Sequence, residues 1–286
     1  MINWYSSSFR VSALLTIVLL LGACERIFDK PETKLNTPRG VVASLNSVSA
    51  TWEILDHIQS RNEYLNYSKI LADSLEEELN IDIEILDSSY IDGDGIELKV
   101  IFNNTSNAFD RKLRNGVVII YTDYNYREVG SSSNIEIQDG FEITSVNGNK
   151  MKIHGSIQSE RTINGLEISS SELEVEDDKF ESYLHLNLFC SWEKGELTPG
   201  LLGDQIKFGG NVEFDIDDSE NALLNIDVPL QKNIEYGCSD FFHSGQFTFK
   251  SDEDQFLIDY DEFDNQACNN IVKVIRGGKE FEISIP

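Results

Sequence analysis

The spacing of apolar residues along this chain changes near residue 80. Before that point, from residue 44 to residue 79, apolar residues recur at helical spacing. The most regular stripe consists of Val48, Trp52, Leu55 and Ile58. Ser47 is a candidate N-cap residue for this segment. The pattern predicts one long helix, or two shorter helices that break near Arg61 and Asn62.

From Ile81 onward apolar and polar residues alternate, which is typical of half-buried β-strands. Glycine dipeptides interrupt the alternation and predict tight turns. The predicted turns are Asp92-Gly93-Asp94-Gly95, Asn147-Gly148, Asn164-Gly165 and Gly277-Gly278, with Asn115-Gly116 opening a further strand. Gly209-Gly210 interrupts a strand pattern without ending it and predicts a bulge or bend.

These segments amount to roughly a dozen strands joined by short turns. The predicted fold is therefore mainly β, an antiparallel meander that forms a sandwich or an open half-barrel, with one N-terminal helical segment. In domain terms, we expect a helical segment at 41–80 packed on a β domain at 81–286.

The N-terminal residues 1–23 read as a signal peptide. Arg10 precedes an apolar run from Val11 to Leu21, and this run is about half the length that a membrane-spanning helix needs. The following residues, Leu21-Gly22-Ala23-Cys24, resemble the lipobox of bacterial lipoproteins. That resemblance implies cleavage before Cys24 and acylation of this cysteine, which would anchor the protein in a membrane. The alternatives are an uncleaved signal anchor and an ordinary secretory signal that happens to precede a cysteine.

The charge of the chain is strongly acidic, with a formal net charge of -27. Such a surface repels nucleic acid and anionic membranes. The segment 24–40 departs from this composition, because it holds four basic and three acidic residues together with Pro31 and Pro38. We interpret it as a lipidated tether that tolerates the membrane surface and holds the acidic body away from it.

Three cysteines remain after Cys24, and an exported protein keeps disulfides. At most one internal pair can form, and Cys238–Cys268 is the pair that we favour because both cysteines lie in polar, turn-like sequence. Cys190 lies in an apolar strand pattern and is predicted to be a buried free thiol.

Three stretches resemble a family of uncharacterised lipoproteins common in Bacteroidota. They are RNGVVIIYTDY with FEITSVNGNKMKIHGSI, then YGCSDFFHSGQFTFKSDEDQFLIDY, then CNNIVKVIRGGKEFEISI. Members of that family end in a strand, an acidic glycine turn, a cysteine followed by Asp-Asn, and two strands joined by a turn. Cys268-Asn269-Asn270 and Gly277-Gly278 stand in the corresponding places, but YDEFDNQAC replaces the short Gly-Asp-Gly turn. The resemblance covers roughly residues 81–286 and implies an envelope location, an all-β body and the Cys238–Cys268 disulfide. It implies no catalytic residue.

Motifs that carry chemistry are absent from the sequence. It contains no nucleophile elbow, zinc-protease motif, P-loop or dinucleotide-binding motif. The four histidines, His57, His154, His185 and His243, are scattered, and we interpret each as solvated or satisfied by a neighbour. The densest acidic stretch runs from Asp252 to Asp264, and we interpret it as an acidic strand edge and turn rather than a cation site. We therefore predict no catalytic residue, no metal site and no cofactor.

Three functions fit these observations. The first is a non-catalytic lipoprotein of the bacterial envelope, held in the outer membrane by Cys24, that acts in binding, scaffolding or surface decoration. Its partner would be an envelope protein or a glycan. The second is a carrier of an apolar ligand in an open β-barrel, and the third is a glycan hydrolase, which needs two carboxylates in one cleft.

Overall fold

The computed structural model describes residues 35–64, 81–87, 95–106, 110–123, 128–196, 202–217, 220–235, 242–260 and 271–285, without the side chains of 60–64, 217 and 220. The chain divides into two compact units, Met1–Thr37 and Pro38–Pro286. The description that follows concerns the second unit, apart from the start of its helix.

Helix α1 spans Asn36–Tyr64. It therefore begins within the segment that composition assigns to the tether. Pro38 is compatible with this because the first turn of a helix has no intrahelical acceptor for its N–H groups. The prediction that Ser47 caps the helix is wrong, since the carbonyl of Ser47 accepts a hydrogen bond from Thr51 Oγ1 at 2.8 Å in the middle of the helix. Residues 65–80, which carry the rest of the predicted helical pattern, lie outside the described residues.

The rest of the described chain is a succession of strands. They are β1 (Asp82–Asp87), β2 (Ile96–Ser106), β3 (Leu113–Thr122), β4 (Ser132–Ile137), β5 (Glu142–Thr144), β6 (Lys150–Thr162), β7 (Gly165–Ser169), β8 (Leu173–Glu176), β9 (Glu181–Lys194), β10 (Gln205–Asp217), β11 (Glu220–Asn233), β12 (Ser244–Lys250), β13 (Gln255–Asp259), β14 (Ile271–Arg276) and β15 (Lys279–Ser284). The predicted fold class is confirmed: the described part of the chain is mainly β and antiparallel, with one helix on the N-terminal side of the strands.

All fifteen of these strands belong to one antiparallel sheet, and successive positions across the sheet follow the order of the chain. Two positions in the sheet are filled by interrupted strands. β4 and β5 both lie between β3 and β6, and β7 and β8 both lie between β6 and β9. The architecture is thus one continuous meander and not two stacked sheets.

Glycines lie opposite both strand breaks, the one between β4 and β5 and the one between β7 and β8. Gly116 in β3 has a φ of 122°, and a Cβ atom there would lie 2.7 Å from the Cα atom of Phe141, between β4 and β5. Gly155 in β6 has a φ of 125°, and a Cβ atom there would clash with the carbonyl oxygen of Glu172, just before β8. The expectation that Asn115-Gly116 opens a strand is therefore wrong. This dipeptide lies inside β3, where the missing side chain lets the neighbouring backbone approach.

Three other glycine predictions are confirmed. Asn147-Gly148 lies between β5 and β6, Asn164-Gly165 joins β6 to β7, and Gly277-Gly278 joins β14 to β15. The register of β10 against β11 also shifts between Phe208 and Asn211, at Gly209-Gly210. The extra residues are in β11, where Pro229 lacks the N–H group that a regular ladder would require. The Asp92–Gly95 turn falls largely outside the described residues.

Helix α1 is surrounded by the sheet. Every residue from Gly40 to Gln59 is buried. At 100° per residue, Gly40, Trp52, Ser49 and Ala50 point in directions of about 0°, 120°, 180° and 280° around the helix axis. Gly40 abuts Phe180 just before β9, and Trp52 packs on Phe208 of β10. Ser49 accepts a hydrogen bond from β11, and the carbonyl of Ala50 accepts one from β3. A single sheet that contacts a helix in all these directions must curve around it.

The surface of this enclosed helix is partly polar, and charges on the strands match it. Lys232 of β11 is fully buried, and its Nζ donates to Glu53 Oε1 at 2.7 Å and to Ser49 Oγ at 3.2 Å. The same ammonium lies 5.4 Å from the ring centroid of Phe242, a cation–π distance. These contacts link helix α1 to β11 across 179 residues of sequence between Glu53 and Lys232.

A second buried ion pair joins Arg114 of β3 to Asp110. Arg114 Nη1 donates to Asp110 Oδ1 at 3.1 Å, and Nη2 donates to Oδ2 of the same carboxylate. Burial by itself would raise the pKa of Asp110, but the charges and hydrogen bonds of Arg114 and Lys112 together outweigh this effect and hold the pKa below its usual range. Asp110 is therefore ionised at neutral pH, and the pair fixes the start of β3 against the helix.

Candidate functional site

A row of uncharged polar side chains crosses the outer face of the sheet. In each contributing strand the residue beside it along the chain is buried, so the row faces away from helix α1. We name these residues the polar row. Its members are Tyr121, Asn134, Gln158, Ser169, Asn187, Asn211, Asn225 and Thr248.

The members of the polar row are direct cross-strand partners. Each one is the register partner of the next, so a single line runs perpendicular to eight successive strand positions, from β3 to β12. Side chains at paired positions have Cβ atoms about 4.5–5.5 Å apart. The row is therefore a continuous strip of hydroxyl and amide groups.

A groove of about 450 Å³ lies over the first part of the polar row. The residues that line it are Tyr121, Thr122, Asp123, Ser132, Ser133, Asn134, Gln158, Ser159, Glu160, Glu167, Ile168, Ser169 and Asn187. The lining contains three carboxylates and, among the described residues that form it, no Lys, Arg or His. The groove is thus rich in neutral donors and acceptors and has negative charge at its margin.

Tyr121 supplies the aromatic ring of the groove. Its hydroxyl bonds to Glu97, its register partner on β2. Partial burial, with the carboxylates of Glu136 and Glu97 nearby, raises the pKa of the Tyr121 phenol. The phenol therefore stays protonated and donates to Glu97, which holds the ring in place at the end of the polar row.

Asn134 brings an unsatisfied acceptor to the groove. Its Oδ1 atom is buried and accepts no hydrogen bond from the described residues. Buried acceptors are nearly always satisfied by protein, solvent or ligand. The edge of the groove next to Asn134 is held by a hydrogen bond, because Asp123 Oδ1 accepts one from the Ser132 backbone N–H at 2.7 Å. The groove thus combines a rigid edge with a polar atom that a ligand could satisfy.

Glu160 and Glu167 form the acidic margin of the groove. They are direct register partners on β6 and β7, and both are exposed. Like charges at paired positions repel each other. Since cross-strand partners project from the sheet in parallel, these two carboxylates stand side by side, on one side of whatever occupies the groove.

The outer face on the other side of the polar row carries charged side chains. His185 Nε2 lies 3.0 Å from Asp215 Oδ2. The hydrogen bond to Asp215 raises the pKa of His185. A hollow of about 260 Å³ nearby is lined by residues that include Glu213, Lys250 and Asp252. This region therefore carries charges of both signs, in contrast with the neutral polar row.

The site residues predicted from the sequence lie apart from this groove. Cys24, Cys238 and Cys268 are outside the described residues, so their lipidation and pairing stay predictions. Cys190 is a free, buried cysteine on β9, as predicted. Its burial, together with the carboxylates of Asp56 and Glu53, raises the thiol pKa well above its usual value.

The histidines and the acidic stretch occupy varied places. His57 is buried in helix α1, His154 is exposed on β6, and His243 precedes β12. In the acidic stretch, Asp254 Oδ1 binds Arg276 Nε at 2.7 Å, while residues 261–264 lie outside the described residues. Within the described ranges no group of three or more His, Cys, Asp or Glu side chains has an arrangement that could hold a metal ion. In the same ranges, no helix combines the length and the apolar character needed to cross a membrane.

Comparison with known proteins gives no relative. No family model, no curated protein and no solved structure matches this chain. The groove therefore has to be interpreted from its own geometry.

Proposed function

We propose that this protein is a non-catalytic glycan-binding lipoprotein of the bacterial envelope, held in the outer membrane by acyl chains on Cys24. We infer that it belongs to the uncharacterised Bacteroidota lipoproteins that residues 81–286 resemble. The groove over the polar row is the binding site, and its ligand is an uncharged carbohydrate.

The composition of the groove carries this proposal. Amide and hydroxyl groups both donate and accept hydrogen bonds, which matches the dense mixture of donors and acceptors on a sugar. The ring of Tyr121 adds an apolar surface on which the face of a sugar ring can stack. With three carboxylates and no basic residue in its described lining, the groove disfavours anionic glycans.

The placement of Glu160 and Glu167 supports binding without hydrolysis. Glycosidases hold their two carboxyl groups on either side of the scissile bond, in environments that push the two pKa values apart. These glutamates instead project in parallel from adjacent strands, and both are exposed. They favour a role in hydrogen bonding to hydroxyl groups. An apolar ligand inside the sheet is also disfavoured, because helix α1 occupies the space that it would need.

The binding test uses the full chain in detergent micelles on an array of neutral and anionic glycans, followed by calorimetry with each glycan that binds. We expect binding to neutral glycans and none to uronic-acid polymers. Tyr121→Ala should weaken binding at least tenfold, since it removes the stacking surface. Tyr183→Ala is the matched control, because Tyr183 is 45% exposed on the outer face but lies outside the groove.

Three results would contradict the proposal. They are an array with no neutral glycan bound, an equal effect of the two tyrosine substitutions, and release of new reducing ends from a bound glycan. The last result would favour the hydrolase alternative instead.

The anchor has a separate test. Labelled fatty acid should be incorporated into the wild-type protein in cells and not into Cys24→Ser. Because two or three acyl chains on one residue hold a protein stably, the wild type should fractionate with outer membranes and the variant should not. Labelling of the variant would exclude Cys24 as the acylated residue. Mass mapping without reduction should link Cys238 to Cys268, and a link through Cys190 would contradict that pairing.

A further inference from the structure

We propose that the ligand is a linear neutral glycan chain that lies across the strands along the whole polar row, so that Asn211 and Asn225 form an extension of the groove. This inference rests on the proposed function and specifies the shape and the length of its ligand.

The pairing register of the strands extends the polar row beyond the groove. The groove ends at Asn187, but the line of paired side chains continues. Asn187 pairs with Asn211, Asn211 pairs with Asn225, and Asn225 pairs with Thr248. Asn225 is exposed and Asn211 is half-buried, so both amides are accessible from outside. Hydrogen-bonding groups of the same kind thus extend over three more strands.

The ends of the polar row are also defined. Before Tyr121 the line meets the charged Glu97, and after Thr248 it meets the apolar Leu257 and Ile275. The Thr248 hydroxyl donates to Asp227 Oδ2 at 2.6 Å, which fixes this end of the row. The strip of neutral polar groups therefore has a start and a finish.

The dimensions fit a chain better than a single sugar. Neighbouring strands are about 4.8 Å apart, so eight strand positions span about 33 Å along the curve of the sheet. The step from strand to strand is similar to the length of one sugar unit in an extended glycan. One side chain per strand would then meet roughly one sugar per step. The five members that line the groove cover about 19 Å of this length.

The neighbouring line of side chains shows that the polar row is distinctive. Two residues away, the paired line mixes apolar, charged and neutral side chains, with Ile119, Glu136 and Ser156 on β3, β4 and β6 and His185, Glu213, Leu223 and Lys250 on β9 to β12. Charged side chains of mixed sign are ordinary for an exposed sheet face. Eight neutral polar residues in one line, in a chain with a net charge of -27, call for a separate explanation. A neutral ligand that follows the line supplies it.

The test measures affinity against chain length by calorimetry with the full chain in detergent. The probes are linear β-1,4-glucose, β-1,4-xylose and α-1,4-glucose oligosaccharides of three to eight units. We expect the affinity for at least one series to rise about tenfold between three and six units, because each added sugar gains hydrogen bonds. The Asn211→Ala/Asn225→Ala variant should remove this gain and leave the affinity for the trisaccharide unchanged.

Asn221→Ala is the matched control, since Asn221 is exposed on β11 but pairs with Asp215 outside the polar row. It should keep the full length dependence. An affinity that stops rising at three units, or a length dependence that survives in the Asn211/Asn225 variant, would overturn the extended site and leave the groove intact. If no oligosaccharide of any length binds and the array is also blank, the proposed function itself fails.

Discussion

Replacing Lys232 with methionine removes a buried ammonium group while keeping most of the side-chain volume. In the wild type this ammonium has its bonds to Glu53 and Ser49 and faces the ring of Phe242. Glu53, which is 5% exposed in the wild type, then keeps only the Ser49 hydroxyl as a donor among these groups. A buried charge that loses its partner typically destabilises a protein by about 3–5 kcal/mol.

We expect Lys232→Met to lower the free energy of unfolding by that amount, which corresponds to a melting temperature lower by roughly 6–20 °C. The measurement is urea denaturation of the full chain in detergent, followed by tryptophan fluorescence. Trp52 is a suitable reporter, because its ring packs edge-on against Phe208 at a centroid distance of 5.8 Å. Lys150→Met is the matched control, since Lys150 is 63% exposed in its ion pair with Glu142 and should change stability by less than about 1 kcal/mol.

The double variant Lys232→Met/Glu53→Leu separates charge from packing. With both charges gone, Ser49 can donate to a carbonyl one turn earlier, as Ser44 and Thr51 already do. The double variant should therefore unfold within about 2 kcal/mol of the wild type, or be more stable. If Lys232→Met has no larger effect than Lys150→Met, or if the two losses simply add, the reasoning about an enclosed polar helix is refuted.

Three further predictions concern single side chains. Gly40→Ala should destabilise the protein by about 1–3 kcal/mol in urea denaturation, because its methyl group would clash with Phe180. At an ordinary helix position the same substitution raises stability, so a gain in the free energy of unfolding would contradict the close packing. The pKa of His185 is raised in the folded state by Asp215, so its contribution to stability is complete below the unfolded pKa of about 6.5 and is lost as the pH rises through the folded pKa. The wild type should therefore exceed His185→Gln in urea midpoint at about pH 5.5 but not at about pH 9, and an equal difference at both values would exclude this linkage. Cys190, which is fully buried with a raised thiol pKa, should react with iodoacetamide only after unfolding, and rapid labelling of the native protein would show that the core opens there.

Local patterns predicted the elements of the fold well. Alternation with period two depends only on which residues face the core, so it identified the strands on either side of Asn147-Gly148 and Gly277-Gly278 directly. Gly116 was misassigned because its requirement is not local. The dipeptide Asn115-Gly116 looks like a turn, but the glycine is needed because the backbone at Phe141 approaches β3.

The polar row and the enclosed position of helix α1 could not be predicted from local sequence patterns. Each strand shows a neutral polar residue at an outward position, as in SIQSE and LHLNLF, and this signal is visible in the sequence. Only the register shows that Gln158 and Asn187 belong to the same line. The helical segment was expected to pack on the β domain. Its polar residues are instead matched by Arg114 and Lys232, which are remote in sequence.

The central position of helix α1 has a consequence for the order of folding. The helix precedes all fifteen described strands, yet Gln59 contacts Ser133, 74 residues later, and Glu53 contacts Lys232, 179 residues later. Such long-range contacts cannot form until most of the sheet exists, and they slow folding. A chain that emerges N-terminus first therefore carries a partly polar segment without its partners until β11 is available. We expect the charged side chains of helix α1 to keep this segment soluble until β11 has formed. The same groups that make buried ion pairs in the folded protein would then also reduce aggregation of the partly folded chain.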